Sequence, residues 1–171
     1  VFDSLQLSLA EGFQVLAAAE AAESGADRDT ILEHVKAVQA NTFVYAALPT
    51  LKYLAMGGRM GKLAAGFADS LEIKPILTAY EGKLDLLEKV RTWRKARTRL
   101  VQLAQESVGD ATIARIGLFH VNNEENAWVL FDLLKAALPL EGVDPLVVAF
   151  TPGLSVHAGS GVIGFALMVE R

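Results

Sequence analysis

Two strand-like runs, Ile73–Tyr80 and Lys83–Val90, are separated only by Glu81-Gly82. A two-residue connection leaves no room for a crossover, so the runs can pair only as an antiparallel hairpin. Along the rest of the chain, β-branched and aromatic runs alternate with stretches of helical periodicity, an order that lays helices against a sheet. The two features together predict an α/β fold: a two-layer domain with a mixed β-sheet and packed helices. The 171 residues are enough for one domain with its own core. No internal repeat, low-complexity tract or interdomain linker divides them.

The element boundaries follow from caps and breakers. Asp3 or Ser4 is placed to cap a first helix running to Gly25, with Leu9, Phe13 and Leu16 on one face. Asp27 caps a second helix, carrying Ile31, Val35 and Val38, that ends near Asn41. Thr42–Ala47 reads as a strand, Pro49 suits the first turn of a short helix ending at Gly57-Gly58, and a further helix covers about Met60–Leu71. Thr92 caps a long helix to about Ser107, followed by a buried strand Ala114–Val121 and a helix Glu124–Leu138 that Pro139 stops. A strand Leu146–Phe150, a Pro152-Gly153 turn, a short segment through His157 and a strand Gly161–Val169 close the chain. The opening Val1-Phe2 reads as the last turn of a strand whose beginning is missing, which predicts a fragment or the removal of a preceding segment.

Composition narrows the chemistry. Hydrophobic residues make up 52% and mean hydropathy is +0.32, yet no run approaches the ~18 consecutive apolar residues that a spanning helix needs. The absence of cysteine excludes disulfides, thiolate metal sites and cysteine nucleophiles, and fits a reducing compartment, the cytoplasm. A net charge of -4 offers no overall attraction to nucleic acid. No zinc-helix spacing, nucleophile elbow, phosphate loop or dinucleotide fingerprint occurs, so neither a metal nor a nucleotide cofactor is expected.

His157 stands out because it lies in a glycine-rich turn, where exposed N–H groups and an imidazole together can hold an anion. A turn-capping structural histidine accounts for the same residue type. Arg59 follows Gly57-Gly58, a loop suited to presenting a guanidinium and equally suited to ending a helix. Lys89, Arg91, Arg94, Lys95, Arg97 and Arg99 crowd cations around a helix start, where the macrodipole disfavours them. An acidic partner or an anion explains them, a solvated face explains them as well, and nucleic acid is the weaker option. Arg91 and Arg94, one turn apart, are the preferred docking pair.

Several of these segments form an ordered set. Asp3-Ser4, Ser8 and Gly12 match a D-S-x-x-x-S-x-G-x-G opening in which Ala10 stands for the first glycine; Leu51–Arg59 matches L-x-x-L-x-x-G-G-R; Ile73–Thr78 with Gly82-Lys83 matches a hairpin; Arg91-Thr92 through Lys95-Ala96 matches R-T-x-x-K-A; and His157–Gly161 matches H-x-G-P-G with Ser160 for proline. In this set the chain resembles the C-terminal part of the DegV family, the fatty-acid-binding carrier subunits of bacterial fatty acid kinase. The resemblance covers the whole chain but only the later part of the family's length, without its front domain. It implies a carrier for a long-chain fatty acid, itself not an enzyme, that presents the carboxylate to the catalytic subunit of a fatty acid kinase in phospholipid metabolism. It also implies a head-group role for His157, with Gly159 and Gly161 shaping its turn, and a kinase-facing place for Arg59, to which the residues themselves add Arg91 and Arg94 as the docking pair. A transient contact with a membrane surface is compatible with it.

Leu5, Leu9, Phe13, Phe43, Leu63, Phe67, Phe119, Phe131, Phe165 and Leu167 are candidates for an acyl tunnel, though each is of a type that equally fills a core. Two other classes of function stay open from the residues alone. One is a small hydrolase or transferase with His157 or His120 as base and Ser155 or Ser160 as nucleophile. The other is an interaction module built on the basic Lys89–Arg99 helix start.

Overall fold

In the computed structural model, which describes residues 1–59 and 73–171, the elements in chain order are α1 (Ser8–Glu23), α2 (Arg28–Ala40), β1 (Thr42–Ala47), α3 (Lys52–Met56), β2 (Lys74–Tyr80), β3 (Lys83–Val90), α4 (Trp93–Val108), β4 (Thr112–His120), α5 (Glu124–Ala137), β5 (Leu146–Ala149), α6 (Pro152–Ala158) and β6 (Ile163–Glu170). The helix expected at about Met60–Leu71 lies outside the described residues. The strands form one six-stranded sheet in the order β3-β2-β1-β6-β4-β5. Every neighbouring pair is antiparallel except β4–β5, so the sheet is mixed, as the hairpin implied.

β6 is the central strand by burial. Its Ile163–Val169 run is apolar or glycine throughout and buried on both faces, the pattern of a strand covered from both sides. The helix-on-sheet packing expected from the sequence occurs twice, once on each face. On one face α4 and α5 bring Leu100, Leu103, Leu130 and Leu134 against Ile116, Leu118, Phe165 and Leu167. On the other, α1, α2, α3 and α6 bring Phe13, Val38, Leu54 and Ala158 against Val44, Leu77, Phe119 and Ala166. Alternation along each strand sorts side chains between the two cores.

The hairpin turn is a two-residue loop with Glu81 at φ 48° and Gly82 at φ 71°. Left-handed backbone at both positions is the mirror-type turn whose twist matches the flanking strands. Two predicted caps are in place: Asp27 accepts from the Thr30 amide at 2.8 Å and Thr92 from the Lys95 amide at 3.2 Å. The Thr30 backbone bond holds the Asp27 carboxyl below the ordinary carboxylate range. A Thr92→Ala chain is expected to lose about 1 kcal/mol of stability, measured by urea unfolding, because the first turn of α4 carries Arg94 and Lys95 and no acid to offset the lost acceptor.

The first helix begins later than the sequence suggested. Asp3 accepts from the Leu5 amide at 3.0 Å and Ser4 pairs with Gln6, so both side chains close local turns instead of capping a helix. Leu5 and Ser8 have positive φ (51° and 55°), which holds the segment off helical geometry and lets Leu7 reach the sheet. Pro49 likewise stays outside α3, whose N-cap is Leu51; its carbonyl accepts from Lys74 Nζ at 3.5 Å.

Candidate functional site

The α1/α3/α6 face of the sheet carries a small apolar cleft, partly open to solvent. Its floor crosses four strands: Phe119 of β4, Val44 and Ala46 of β1, Leu77, Thr78 and Ala79 of β2, and Leu84 of β3. Leu7, Leu48, Leu54, Phe150, Leu154, Ala158 and Val162 form its walls. Two lining side chains are polar, Thr78 and His157. The Thr78 hydroxyl donates to the Val44 carbonyl at 2.8 Å, so it is spent within the sheet. His157 is different: its Nδ1 is buried without a hydrogen-bond partner among the described residues. Burying an unpaired imidazole nitrogen carries a desolvation cost of about 1–3 kcal/mol.

Why His157 sits there is a matter of two glycine contacts. The His157 ring lies directly on Gly57, where any Cβ would collide with the imidazole. The Tyr53 ring lies on Gly159, and Gly161 faces Pro49 with open van der Waals spacing, a Cβ there lying 3.6 Å from Pro49 Cγ. The Gly57-Gly58 segment after α3 and the Gly159–Gly161 turn after α6 therefore form one bipartite structure. Arg59 completes it: its Nη1 donates to the Gly57 carbonyl at 2.8 Å, which anchors an exposed guanidinium on the residue that supports His157. The sequence reading kept Arg59 and His157 apart as docking and head-group residues, whereas the fold joins them through Gly57.

The basic start of α4 lies at the same end of the sheet. Ala47 pairs with both Ile76 and Ile163, Ile163 with His120, and Lys74 with Val90, which aligns the residues just before α4 with the turn before β6. The six cations there do not act alike. Arg99 is held by Glu88 at 2.8 Å and Glu106 at 2.7 Å, and the Glu106 bond raises its pKa further. Arg97 donates to Asn126 Oδ1 at 3.3 Å. Arg91, Arg94 and Lys95 are exposed, with no side-chain partner among the described residues.

The remaining candidates separate by face. Phe119 lines the cleft, stacked on Phe150 with centroids 4.7 Å apart. Phe13 is fully buried in the same core, and Leu9 packs there over Gly117. Phe43, Phe165 and Leu167 project from the opposite face of the sheet into the α4/α5 core, where Phe165 meets Tyr45 at 5.6 Å, because strand alternation turns them away from the cleft. Phe131 joins the same core from α5 and does not line the cleft either. Leu5 lies outside it, over Gly82. Leu63 and Phe67 fall outside the described residues. His120 Nδ1 accepts from the Asn123 amide at 3.2 Å and the Ser155 hydroxyl donates to the Phe150 carbonyl at 3.1 Å, so neither side chain is paired with His157 as a base or nucleophile would be. Among the described residues no cluster of His, Asp and Glu is arranged to hold a metal, and no helix is long and apolar enough to cross a membrane.

An apolar cleft with one unpaired imidazole, on a mixed sheet that carries helices on both faces, defines the class of domain. The comparisons with known proteins give its family. The family model described as "Uncharacterised protein, DegV family" matches residues 1–170, and the chain belongs to the DegV family. A DegV domain-containing protein of Streptomyces coelicolor is 36% identical over 165 residues, which cover 96% of this chain and 58% of that protein. Among solved structures, a fatty-acid-binding DegV family protein from Streptococcus agalactiae superposes with a TM-score of 0.87 at 29% identity, covering 100% of this chain and 60% of that one. A DegV family protein from Thermus thermophilus, described for its fatty acid binding, gives 0.90 at 28% identity, covering 99% and 60%. The chain thus spans less than two thirds of the length of these relatives.

Proposed function

We propose that this chain supplies the acyl cleft and a head-group residue to a fatty-acid carrier. The observation that carries the reading is His157, an imidazole with an unpaired buried nitrogen on an otherwise apolar cleft. A long-chain fatty acid has the matching chemistry: an acyl chain whose burial contributes about 0.8 kcal/mol per methylene, and one carboxylate that needs a donor. The fatty acid binding described for the Streptococcus and Thermus proteins supports it. Gly159 and Gly161 shape the turn that holds the imidazole. In this reading the chain does no chemistry of its own. A separate kinase phosphorylates the presented carboxylate and engages Arg59, Arg91 and Arg94, at the end of the sheet where the head group lies, and the setting is cytoplasmic.

The reading is tested by native mass spectrometry and organic extraction of the purified chain, before and after loading with palmitic or oleic acid. One fatty acid per chain is expected, with affinity lowered about 10- to 100-fold in His157→Ala by loss of a charge-assisted bond. Failure to retain any fatty acid would sink it. Ester turnover abolished by the same substitution would move the protein to the hydrolase class.

A further inference from the structure

Asn123 is the N-cap residue of α5, and asparagine is among the best side chains for satisfying the first amides of a helix. Here the side chain does not cap. Instead Nδ2 donates to the carbonyl of Gly161 at 2.9 Å, across the sheet end in the turn that follows His157. Its Oδ1 in turn accepts from Asn126 Nδ2 at 2.7 Å, and Asn126 Oδ1 accepts from Arg97 Nη1 at 3.3 Å. The three bonds run head to tail, each amide donating onward, from a guanidinium one turn beyond Arg94 to the glycine turn of the cleft. Bonds aligned in this way polarise one another, most effectively away from water, and all the participating side chains are at least partly buried.

The other hydrogen bonds of the Gly159–Gly161 turn are made by its backbone. Gly159 N–H donates to the Ser155 carbonyl at 2.8 Å and Gly161 N–H to the Val121 carbonyl at 2.7 Å. Ser160 between them is exposed, and both glycines have left-handed backbone (φ 80° and 94°), which is soft without a side chain to pin it. The Gly161 carbonyl is therefore a point at which the turn can be set, and Asn123 holds it.

We infer that Asn123 is the positioning residue of the head-group site, and that Arg97 and Asn126 orient it. The inference rests on the carrier reading for its consequence, since the position of the turn fixes how the His157 imidazole meets a carboxylate. It also gives the basic face of α4 a second role. An anionic group drawing on the Arg97 guanidinium would weaken the first bond of the series and so be felt at the ligand.

The isosteric Asn123→Asp substitution keeps the size and the acceptor towards Asn126 but places a carboxylate oxygen against the Gly161 carbonyl. Two readouts are needed on the chain as it stands: the His157 imidazole resonances in a ¹⁵N spectrum, with His34 on α2 as the unmoved reference, and oleate affinity by displacement of a fluorescent fatty acid. The expected result is a displaced His157 resonance and about tenfold weaker oleate binding, the loss typical of one buried hydrogen bond. A folded variant whose His157 resonance and oleate affinity match those of the wild type would overturn the inference and leave Asn123 a brace of the fold. Should the wild-type chain bind no oleate, the carrier reading fails while the resonance alone still decides whether Asn123 sets His157. If Asn123→Asp does not fold, Arg97→Met at the outer end decides in its place: a displaced His157 resonance supports the series, and an unmoved one overturns it.

Discussion

A Gly164→Ala chain is expected to be about 3 kcal/mol less stable than the wild type, at the upper end of what overpacking a core costs. Gly164 lies in β6, paired with Ala46 of β1 on one side and Phe119 of β4 on the other. A Cβ at this position would collide with the Tyr45 carbonyl oxygen and with the Phe119 ring. Neither neighbour can give way cheaply. The carbonyl belongs to the backbone of the adjacent strand, and the ring is stacked on Phe150 and fully buried. Relief would come from parting β1 from β6 at the middle of the sheet, beneath the cleft. Gly12, inside α1, has nothing within 4 Å of its Cβ position, so the same change there should stabilise by about 0.5–1 kcal/mol through helix propensity. Urea midpoints of the two variants should move in opposite directions. A Gly164→Ala protein within about 1 kcal/mol of wild type would show that this part of the sheet adjusts more freely than close packing allows.

Substitution of Gly159 by alanine should cost about 2–3 kcal/mol and also remove ligand binding, because two penalties coincide. The backbone at φ 80° and ψ 163° lies in a region open almost only to glycine, which carries a strain of order 1–3 kcal/mol for other residues. The new methyl would in addition enter the ring of Tyr53. These parts can be separated. Tyr53→Ala should relieve the collision and leave the backbone strain, so the double variant is expected to recover part of the stability but not the fatty-acid affinity, which in the proposed carrier depends on where His157 is held two residues earlier. Thermal unfolding and oleate displacement on the single and double variants report the two effects. A Gly159→Ala chain with wild-type melting and affinity would mean that the turn after α6 does not set the site.

Much of the fold was legible because its signals are local. Glu81-Gly82 between two strand-like runs dictated the hairpin, Asp27 and Thr92 marked helix starts, and the apolar run at the end of the chain marked a closing strand. Where local signals competed, the prediction drifted: Asp3 and Ser4 are good caps that also make good turns, and the turn won. The cleft was less legible. Phe43 and Phe165 look no different from Phe119 as residues, and the strand parity that turns them to the opposite core becomes meaningful only once the pairing Phe119↔Gly164 fixes the register. Ala46, Ala79 and Leu84 are so ordinary that no signal in the chain singled them out as cleft floor.

By itself, the sequence determined the class of the fold, the hairpin and most helix ends, since each depends on residues a few positions apart. Tertiary structure alone decided the strand order that places β6 between β1 and β4, the parallel pairing of β5, and the division of apolar side chains between two cores. It also decided that His157 rests on Gly57 beside Arg59, and that Asn123 at the start of α5 holds Gly161. The physical reason is that propensity and periodicity are read over a turn or two, whereas these contacts join residues far apart in the chain that meet only when the sheet has closed.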